Sequence, residues 1–501
     1  MYYCKAKIKV GDQEYSCNSK AGPNDYCILH DDDPNKDKKD FIIAVRDIIY
    51  NPAIDPSRLR GTVFNTTDGL FNKNISNRLI LDGATFNCDV EIKNIHIQNT
   101  SSFRNVTFNG KFNCRDLNII ERCEFDDVNF NGKTLMHNVQ FHSGVYFNKM
   151  ECSDEICFDN VQFNKGNCVY SDCVFHSDSS FKKVACSDVL KYSNVEFYGI
   201  LVLEDCHMRK GLEMDNVYCY SESMFRDIHV SFRMLFNMCT LSGEASFPVT
   251  NLPSETYFIN VSFLGNTDFD KEYNIGPKNL IFKNCNMQGV YMKTLPFLNG
   301  DSVEIQDCKW PKKGRIRRRH IINDENRAEE YDLVKRIYRK LHEHYYKLSD
   351  FRLASDFYIG FLTANRKASN IPFPARMLNW LYGVFAQYGE SYTRPFLAIL
   401  VMWFIAPLLL LLMGVQLDPN MGEVKYTLAL GLDDFILLTT DYWKTFIYNI
   451  SLSTLFRGAE LRPHITSWPH ALICIETLLN AVFVSFMVVG IRRQFVPKKP
   501  V

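Results

Sequence analysis

The sequence predicts a mainly β solenoid, a parallel β-helix with 11-residue half-coils, joined to an α-helical hairpin and a two-helix transmembrane module. Three observations predict this fold. A hexamer recurs at a step of 11 residues through 81–310, two amphipathic segments follow it, and two long apolar segments lie towards the C-terminal end. The 501 residues are enough for about three domains, since a domain takes roughly 150 residues.

The composition limits the compartment and the partners. Lysine plus arginine equals aspartate plus glutamate, 57 each, so no global charge favours nucleic acid. The first residues, "MYYCKAKIKVGDQEYSC", contain no apolar run of signal-peptide length. The 17 cysteines are therefore expected in a reducing compartment, as core residues or metal ligands rather than disulfides. We expect the soluble part to be cytoplasmic.

The repeat has the form apolar-x-(Asn/Asp)-(Val/Cys/Ile)-x-apolar. It is seen in "FRNVTF" at 103, "FDDVNF" at 125, "FDNVQF" at 158 and "YSNVEF" at 192, with one insertion before Tyr170. Neither a helical period nor a long alternating strand fits, whereas short strands stacked into ladders do. Phenylalanine at the first and sixth positions would fill the interior. Asn or Asp at the third position suits a corner, because these residues tolerate left-handed dihedrals. Two hexamers to a coil give roughly ten coils.

The repeat also accounts for most cysteines. They are predicted to be small hydrophobic core residues rather than redox or metal groups. Those at the fourth position are Cys173, Cys206, Cys239, Cys285 and Cys308, and those at the sixth are Cys152, Cys186 and Cys219.

This pattern resembles the pentapeptide-repeat family of right-handed quadrilateral β-helices, in the variant with phenylalanine every eleven residues. The resemblance covers 81–310 and implies a right-handed β-helix that acts as a scaffold. Some members of the family resemble DNA and inhibit topoisomerases. The negative charge of 81–310 is diffuse rather than striped, which makes that function a minor alternative here.

Four potential metal ligands precede the repeat. Cys4, Cys17, Cys27 and His30 have the spacing C-x12-C-x9-C-x2-H. Three thiolates and an imidazole complete a tetrahedral zinc site and leave no open position, so the zinc would be structural. The alternative is free surface cysteines and an ordinary histidine. Residues 1–37 also resemble the Cys-rich knuckle that precedes the rod in some pentapeptide-repeat membrane proteins. Residues 38–80 are predicted to be a helical cap and lead-in.

Residues 311–390 are predicted to be a basic linker and a helical hairpin. "PKKGRIRRRH" could contact anionic lipid or nucleic acid, or be a solvated linker. Apolar residues at 3/4 spacing predict an amphipathic helix from about 324 to 348. A second helix, "DFRLASDFYIGFLTANRK", is predicted to start after Ser349.

Residues 391–501 are predicted to be a two-span membrane domain. The first span starts near Pro395 and the second covers 471–491, ending in Arg492-Arg493. Basic residues flank both spans on the same side, which places both termini and the β-helix in the cytoplasm and 416–465 on the opposite side. The lipid bilayer is thus a predicted partner.

The segment between the spans is expected to be re-entrant. "LNWLYGVFAQYGESYTRPF" before the first span, and "RRQF" after the second, resemble the channel-like module attached to pentapeptide-repeat rods in many prokaryotic proteins. That resemblance implies a homo-oligomer of four chains around a pore, with a pore-type helix and a loop ending in Pro that match "SLSTLFRGAELRP". The position of Trp443–Phe456 between the spans and its part-apolar face predict that it is this re-entrant helix. The hydroxyls that could line a narrow path through the pore are those of Ser451, Ser453 and Thr454.

The filter itself departs from a potassium channel. Such a filter needs consecutive backbone carbonyls that only small residues permit, and Arg457 and Glu460 stand in its place. A non-potassium pore segment is therefore predicted. Glu476 within the second span could line the pore, pair with Asn480 one turn away, or be solvated at the outer interface.

No nucleophile elbow, phosphate loop or clustered acid–base pair is present in the sequence, so an enzyme is not expected. The first hypothesis is a membrane channel-like protein whose β-helix is a sensor or interaction domain for an unknown cytosolic protein or small molecule. The alternative is a membrane-tethered scaffold without conduction. Nucleic acid is not an expected partner.

Overall fold

The computed structural model describes residues 2–248, 252–253, 255–270, 279–295, 303–314, 319–327, 331–368, 371–417, 422–426, 432–453 and 468–495. The chain divides into two compact units, Met1–Arg327 and Ala328–Val501. The first unit contains the strands of a parallel β-solenoid, and the second is helical.

The first unit begins with a small antiparallel hairpin and a helix. Strands β1 (Lys7–Val10) and β2 (Gln13–Ser16) pair with each other, and helix α1 (Lys38–Tyr50) follows. Asp37 caps α1 by accepting hydrogen bonds from two backbone N–H groups of its first turn. The buried face of α1 places Phe41 edge-on against Phe64, 5.6 Å between ring centroids. Helix α1 therefore packs against the first strand of the solenoid.

Short strands build the solenoid in two large parallel sheets. Those of its first half are β3 (Val63–Phe64), β4 (Leu79–Ile80), β5 (Thr85–Phe86), β6 (Val90–Ile97), β7 (Ser101–Arg104), β8 (Thr107–Phe108), β9 (Phe112–Ile119), β10 (Cys123–Asp126), β11 (Asn129–Phe130), β12 (Thr134–Phe141), β13 (Val145–Asn148), β14 (Glu151–Cys152), β15 (Ile156–Asp159), β16 (Gln162–Phe163), β17 (Cys168–Ser171) and β18 (Val174–Phe175). Those of its second half are β19 (Ser179–Lys182), β20 (Ala185–Cys186), β21 (Val189–Phe197), β22 (Leu201–Glu204), β23 (His207–Met208), β24 (Gly211–Cys219), β25 (Ser223–Arg226), β26 (His229–Val230), β27 (Arg233–Asn237), β28 (Thr240–Leu241), β29 (Ala245–Pro248), β30 (Glu255–Ile259), β31 (Ser262–Phe263), β32 (Thr267–Asp270), β33 (Asn279–Lys283) and β34 (Val303–Gln306).

The register of these strands gives the length of one coil. Phe125 in β10 pairs with Phe103 in β7 and with Phe147 in β13, so a coil takes 22 residues, or two hexamers. The solenoid has about ten turns, as the repeat predicted. Its first strand pairing, Val63 with Thr85, lies upstream of residue 81, so the coil register already begins within the segment taken as lead-in.

Aromatic ladders fill the interior. Phe64, Phe86, Phe108 and Phe130 stack with successive ring centroids 4.2, 4.8 and 5.0 Å apart. The first and sixth positions of the hexamers are buried, because successive side chains of a strand alternate between the two faces and equivalent ones superpose from coil to coil. The predicted inward ladders are therefore present.

The third hexamer position turns the chain at the corners. Residues there have positive φ, which asparagine and aspartate tolerate better than other non-glycine residues. They are Asn94, Asn105, Asp116, Asp127, Asn138, Lys149, Asn160, Asp172, Lys183, Asn194, Asp205, Asn216, Asp227, Met238, Asn260, Asn284 and Asp307. Neighbouring corners bond along the solenoid, as when Asn216 Nδ2 donates to Asn194 Oδ1 at 2.9 Å.

The repeat cysteines lie in the core as predicted. All eight are at most 6% exposed. Those at the fourth position donate to backbone carbonyls of the coil before, as Cys206 does to Phe181 O at 3.2 Å. Burial raises the pKa of Cys206 to about 11, so it stays a neutral thiol.

The end of the first unit contains β35 (Lys312–Lys313) and β36 (Arg319–His320), which pair antiparallel. Asp324 is buried and accepts from the backbone N–H groups of Met292 and Lys293 at 2.8 and 2.9 Å. In the basic segment, Arg319 pairs with Glu325 at 2.7 Å, and residues 315–318 lie outside the described residues.

The described residues of the second unit form six α-helices: α2 (Tyr331–Lys347), α3 (Phe351–Lys367), α4 (Phe373–Ala386), α5 (Thr393–Met413), α6 (Leu432–Ser453) and α7 (Trp468–Phe495). Helices α2 and α3 form the predicted hairpin, with Asp350 as the N-cap of α3. The apolar stripe of α2 is buried, and Tyr338 lies over Gly360, where a Cβ would come within 2.5 Å of its ring. The two helices thus cover each other.

Candidate metal centre and membrane module

The four predicted metal ligands come together. The ligand atoms of Cys4, Cys17, Cys27 and His30 all lie within 4.8 Å of one another. Cys17 Sγ is 3.8 Å from Cys27 Sγ, and Cys4 Sγ is 3.6 Å from His30 Nδ1. Zinc with bonds of about 2.3 Å to sulfur and about 2.0–2.1 Å to nitrogen gives tetrahedral edges of about 3.5–3.8 Å, which these two separations match. A third pair, Cys27 Sγ and His30 Nδ1, is closer, at 3.1 Å.

The surroundings orient the ligands. His30 Nε2 is 2.7 Å from the carbonyl oxygen of Arg60, an acceptor, so Nε2 carries the proton and the lone pair of Nδ1 faces the cysteines. The backbone N–H of Cys27 donates to Cys4 Sγ at 3.3 Å. Burial raises the pKa of the Cys4 thiol, because a thiolate without a counter-charge is costly in this pocket. A divalent metal would supply that charge, and four protein ligands would make its site structural.

The described part of the knuckle (residues 1–37) is anchored on the first two coils. Leu29 O accepts from Val63 N at 2.9 Å, and Lys9 O accepts from Asn105 Nδ2 at 2.9 Å. Lys36 Nζ donates to Asp31 O at 2.8 Å and lies 4.2 Å from the centre of the Phe41 ring. Burial lowers the pKa of Lys36 to about 8. The hairpin, the cap and the first coil therefore form one packed end of the first unit.

Two helices of the second unit are long and apolar enough to cross a membrane. They are Thr393–Met413, 21 residues, and Trp468–Arg493, 26 residues. Most large apolar side chains on both remain exposed, among them Leu397, Val401 and Phe404 of α5. Length and composition are the basis of this assignment, which matches the two predicted spans.

Helix α6 packs against both of these helices. The Tyr442 hydroxyl donates to Phe404 O of α5 at 3.0 Å, and the Phe404 and Phe446 rings are 5.1 Å apart. Tyr448 packs against a small core formed by Leu410, Val415 and Ile473. The sequence predicted a helix within Trp443–Phe456, but α6 begins at Leu432 and is described as far as Ser453. The full length of this helix could not be predicted from the sequence, because Asp433, Asp434 and Asp441 interrupt its apolar pattern.

Buried polar side chains lie on the facing helices. Thr445 and Asn449 of α6, and Glu476 and Asn480 of α7, are at most 5% exposed. Within each pair the residues are one turn apart and share a face. Neither carboxylate oxygen of Glu476 has a hydrogen-bond partner among the described residues. Its burial inside the chain disfavours simple solvation at the outer interface, one of the three alternatives for this residue.

The other predicted pore residues are only partly described. Ser451 Oγ donates to its own helix, to Tyr448 O at 2.7 Å. Ser453 is the last described residue of α6. Thr454, Arg457 and Glu460 lie outside the described residues. The roles assigned to these side chains remain predictions.

The sequence did not predict one contact between two of its quoted motifs. Glu390, in "QYGES", contacts Arg493, in "RRQF", at 3.0 Å. Both motifs were singled out by resemblance, but nothing in one sequence signals that they meet, because the residues are 103 positions apart.

Comparisons of the chain with protein-family models, with curated proteins and with solved structures found no match. The class of the protein therefore rests on its own fold. It is a parallel β-solenoid repeat protein with a Cys3His cluster able to hold a metal ion and two helices able to cross a membrane.

Proposed function

We propose that this chain is a membrane channel-like protein whose β-solenoid is a cytoplasmic sensor or interaction domain. The observation that carries the proposal is the position of α6, which packs on both membrane-capable helices and carries buried polar side chains, as α7 also does. An anchor needs only two apolar helices. It does not need a third helix that packs on both and fully buries Thr445 and Asn449.

Zinc is the proposed structural metal of the Cys4, Cys17, Cys27 and His30 cluster. Its role would be to fix the knuckle on the first coil, since a hairpin of this size has little apolar core of its own. The proposal is supported by the edge lengths of the cluster and by the hydrogen bond that leaves His30 Nδ1 free to bind. It assigns no catalytic role to the metal, and the protein would not be an enzyme.

The proposed pore segment follows α6. Non-helical backbone at membrane depth must be surrounded by protein or water, so the segment requires several subunits around an axis, and we propose four. Arg457 and Glu460 would form charged rings at the mouth. Such rings give weak charge selectivity rather than potassium selectivity.

Recording from purified protein in planar bilayers tests this function. Wild type should conduct, and Glu460→Lys should shift the anion/cation permeability ratio towards anions. Glu423→Lys is the matched control, because Glu423 is an exposed glutamate of the same connection between the candidate spans. It should change the ratio much less.

The alternative function is a membrane-tethered scaffold in which the two helices anchor the solenoid. It is supported by the solenoid itself, since long ladders offer extended surfaces for a protein partner. A wild-type protein that is monomeric in detergent and silent in bilayers would establish the scaffold and refute the channel. A conducting protein that responds equally to both lysine variants would refute the assigned pore segment alone.

A further inference from the structure

The elbow between α4 and α5 is an unusual piece of backbone. Gln387, Tyr388 and Gly389 are consecutive and all have positive φ, 49°, 58° and 80°. This conformation is strained for a residue other than glycine. A fold retains such a stretch where its surroundings fix it. The elbow residues are buried, Tyr388 to 4% exposure and Gln387 to 6%.

The elbow is packed tightly against the end of α7. A Cβ on Gly389 would lie 2.5 Å from the Tyr382 hydroxyl oxygen and 3.1 Å from Val489 Cγ1. A Cβ on Gly490 would lie 2.9 Å from the backbone nitrogen of Tyr392. Gly490 therefore allows the close approach of α7 to the backbone of Ser391 and Tyr392, and Gly389 leaves room for the Val489 side chain. The last turns of α7 thus have little freedom relative to the elbow.

An ion pair joins three elements at this point. Glu390 Oε1 accepts from Arg493 Nη1 at 3.0 Å, and Glu390 Oε2 accepts from Ser355 Oγ of α3 at 2.7 Å. The Arg493 guanidinium also donates to Tyr388 O and lies 5.3 Å from the ring centre of Tyr358, again on α3. The side chains of Arg493 and Glu390 are only 10% and 18% exposed. Charge-assisted hydrogen bonds in such surroundings are stronger than those of surface pairs.

We propose that Glu390 is a positioning residue that links the helical hairpin to the second candidate span. By bonding Ser355 and Arg493 at once, it holds the cytoplasmic end of α7 in register with α3, so a displacement of the hairpin moves that end of the span. The inference deepens the proposed channel function, because it names the contact through which a signal from the hairpin would reach the membrane helices.

Hydrogen–deuterium exchange of the full chain in detergent tests the link without requiring conduction. Glu390→Gln and Arg493→Gln should each raise exchange about tenfold, which corresponds to about 1.4 kcal/mol, since each removes a charge-assisted hydrogen bond. The rise should occur at two separate places, the last turns of α7 and the part of α3 around Ser355–Tyr358. The double variant should raise exchange by clearly less than the product of the two single factors, because both single variants remove the shared ion pair. Arg492→Gln is the matched control and should change neither region, since Arg492 is exposed.

Ser355→Ala provides a milder perturbation that removes one hydrogen bond and keeps the ion pair. It should raise exchange in the same two regions by a smaller factor. Changes confined to 387–392, or additive effects of Glu390→Gln and Arg493→Gln, would overturn the link. Silence in planar bilayers would refute the channel and leave the exchange result standing, so the two failures are distinguishable.

Discussion

Truncating Phe158 measures what the aromatic ladder contributes. Phe158 is fully buried in β15 and stacks on Phe181 with ring centroids 5.2 Å apart and planes 12° apart. It also meets Phe147 and Tyr170 edge-on, at 6.0 and 6.2 Å. Phe158→Ala would remove these three aromatic contacts and leave a cavity between two rigid sheets.

The cost can be estimated in two parts. Burying a phenylalanine side chain contributes about 1.5–3 kcal/mol through the apolar area removed from water. A residual cavity of roughly 80 Å³ adds about 2 kcal/mol at 24 cal/mol per Å³. The sum, about 4 kcal/mol, lies within the range of about 3–5 kcal/mol measured for buried Phe→Ala substitutions.

Urea unfolding followed by hydrogen exchange would check this value. The loss of protection against exchange should be largest in β13, β15, β17 and β19, which hold Phe158 and the neighbouring rings, because each coil of a solenoid contacts mainly the next. Phe232→Ala is the matched control, since Phe232 lies on the same solenoid but is 63% exposed, and it should cost less than about 0.5 kcal/mol. Equal effects of the two substitutions, or a Phe158→Ala cost below about 1 kcal/mol, would refute the ladder as the main source of stability.

Four further predictions follow from the structure. Elemental analysis of native protein should find one zinc per chain, and protein without zinc would contradict the metal centre. Cys27→Ser should release the zinc and raise hydrogen exchange in the first coil only. Met238 has a φ of 52° at a corner that is occupied elsewhere mostly by asparagine or aspartate. Met238→Asn should therefore raise the free energy of unfolding, measured in urea, by about 0.5–1 kcal/mol. Asn160→Val at an equivalent corner should lower the free energy of unfolding. The pKa of Lys36 is lowered to about 8, so between pH 8 and the ordinary lysine pKa of 10.5 the unfolded chain binds more protons than the folded chain. The free energy of unfolding should therefore rise with pH in that window. Lys36→Met should flatten the rise, and Lys39→Met should not. A cysteine at Gly422, where a Cβ meets nothing within 4 Å, should react with an impermeant thiol reagent from outside intact cells in a Cys474→Ser background, and failure to react would contradict the predicted topology.

The metal cluster and the ladders were predictable for different reasons. The hexamer repeats its apolar, corner and small positions so regularly that only a stacked coil satisfies all of them, and the register of Phe125 with Phe147 follows from the 22-residue period. The ligand set of Cys4, Cys17, Cys27 and His30 was visible because these residues fall outside the repeat, where no core position explains them. That their atoms converge was a prediction which the fold confirmed.

The sequence by itself therefore determined the features that depend on local, repeated or compositional patterns: the solenoid, the hairpin helices and the two apolar helices. Only the tertiary structure decided the features that depend on distant residues. Examples are the extent of α6, the burial of Glu476 and the contact of Glu390 with Arg493. The physical reason is that a repeat carries its own packing partner one coil away, whereas a carboxylate or guanidinium shows its partner only when the chain has brought the two together.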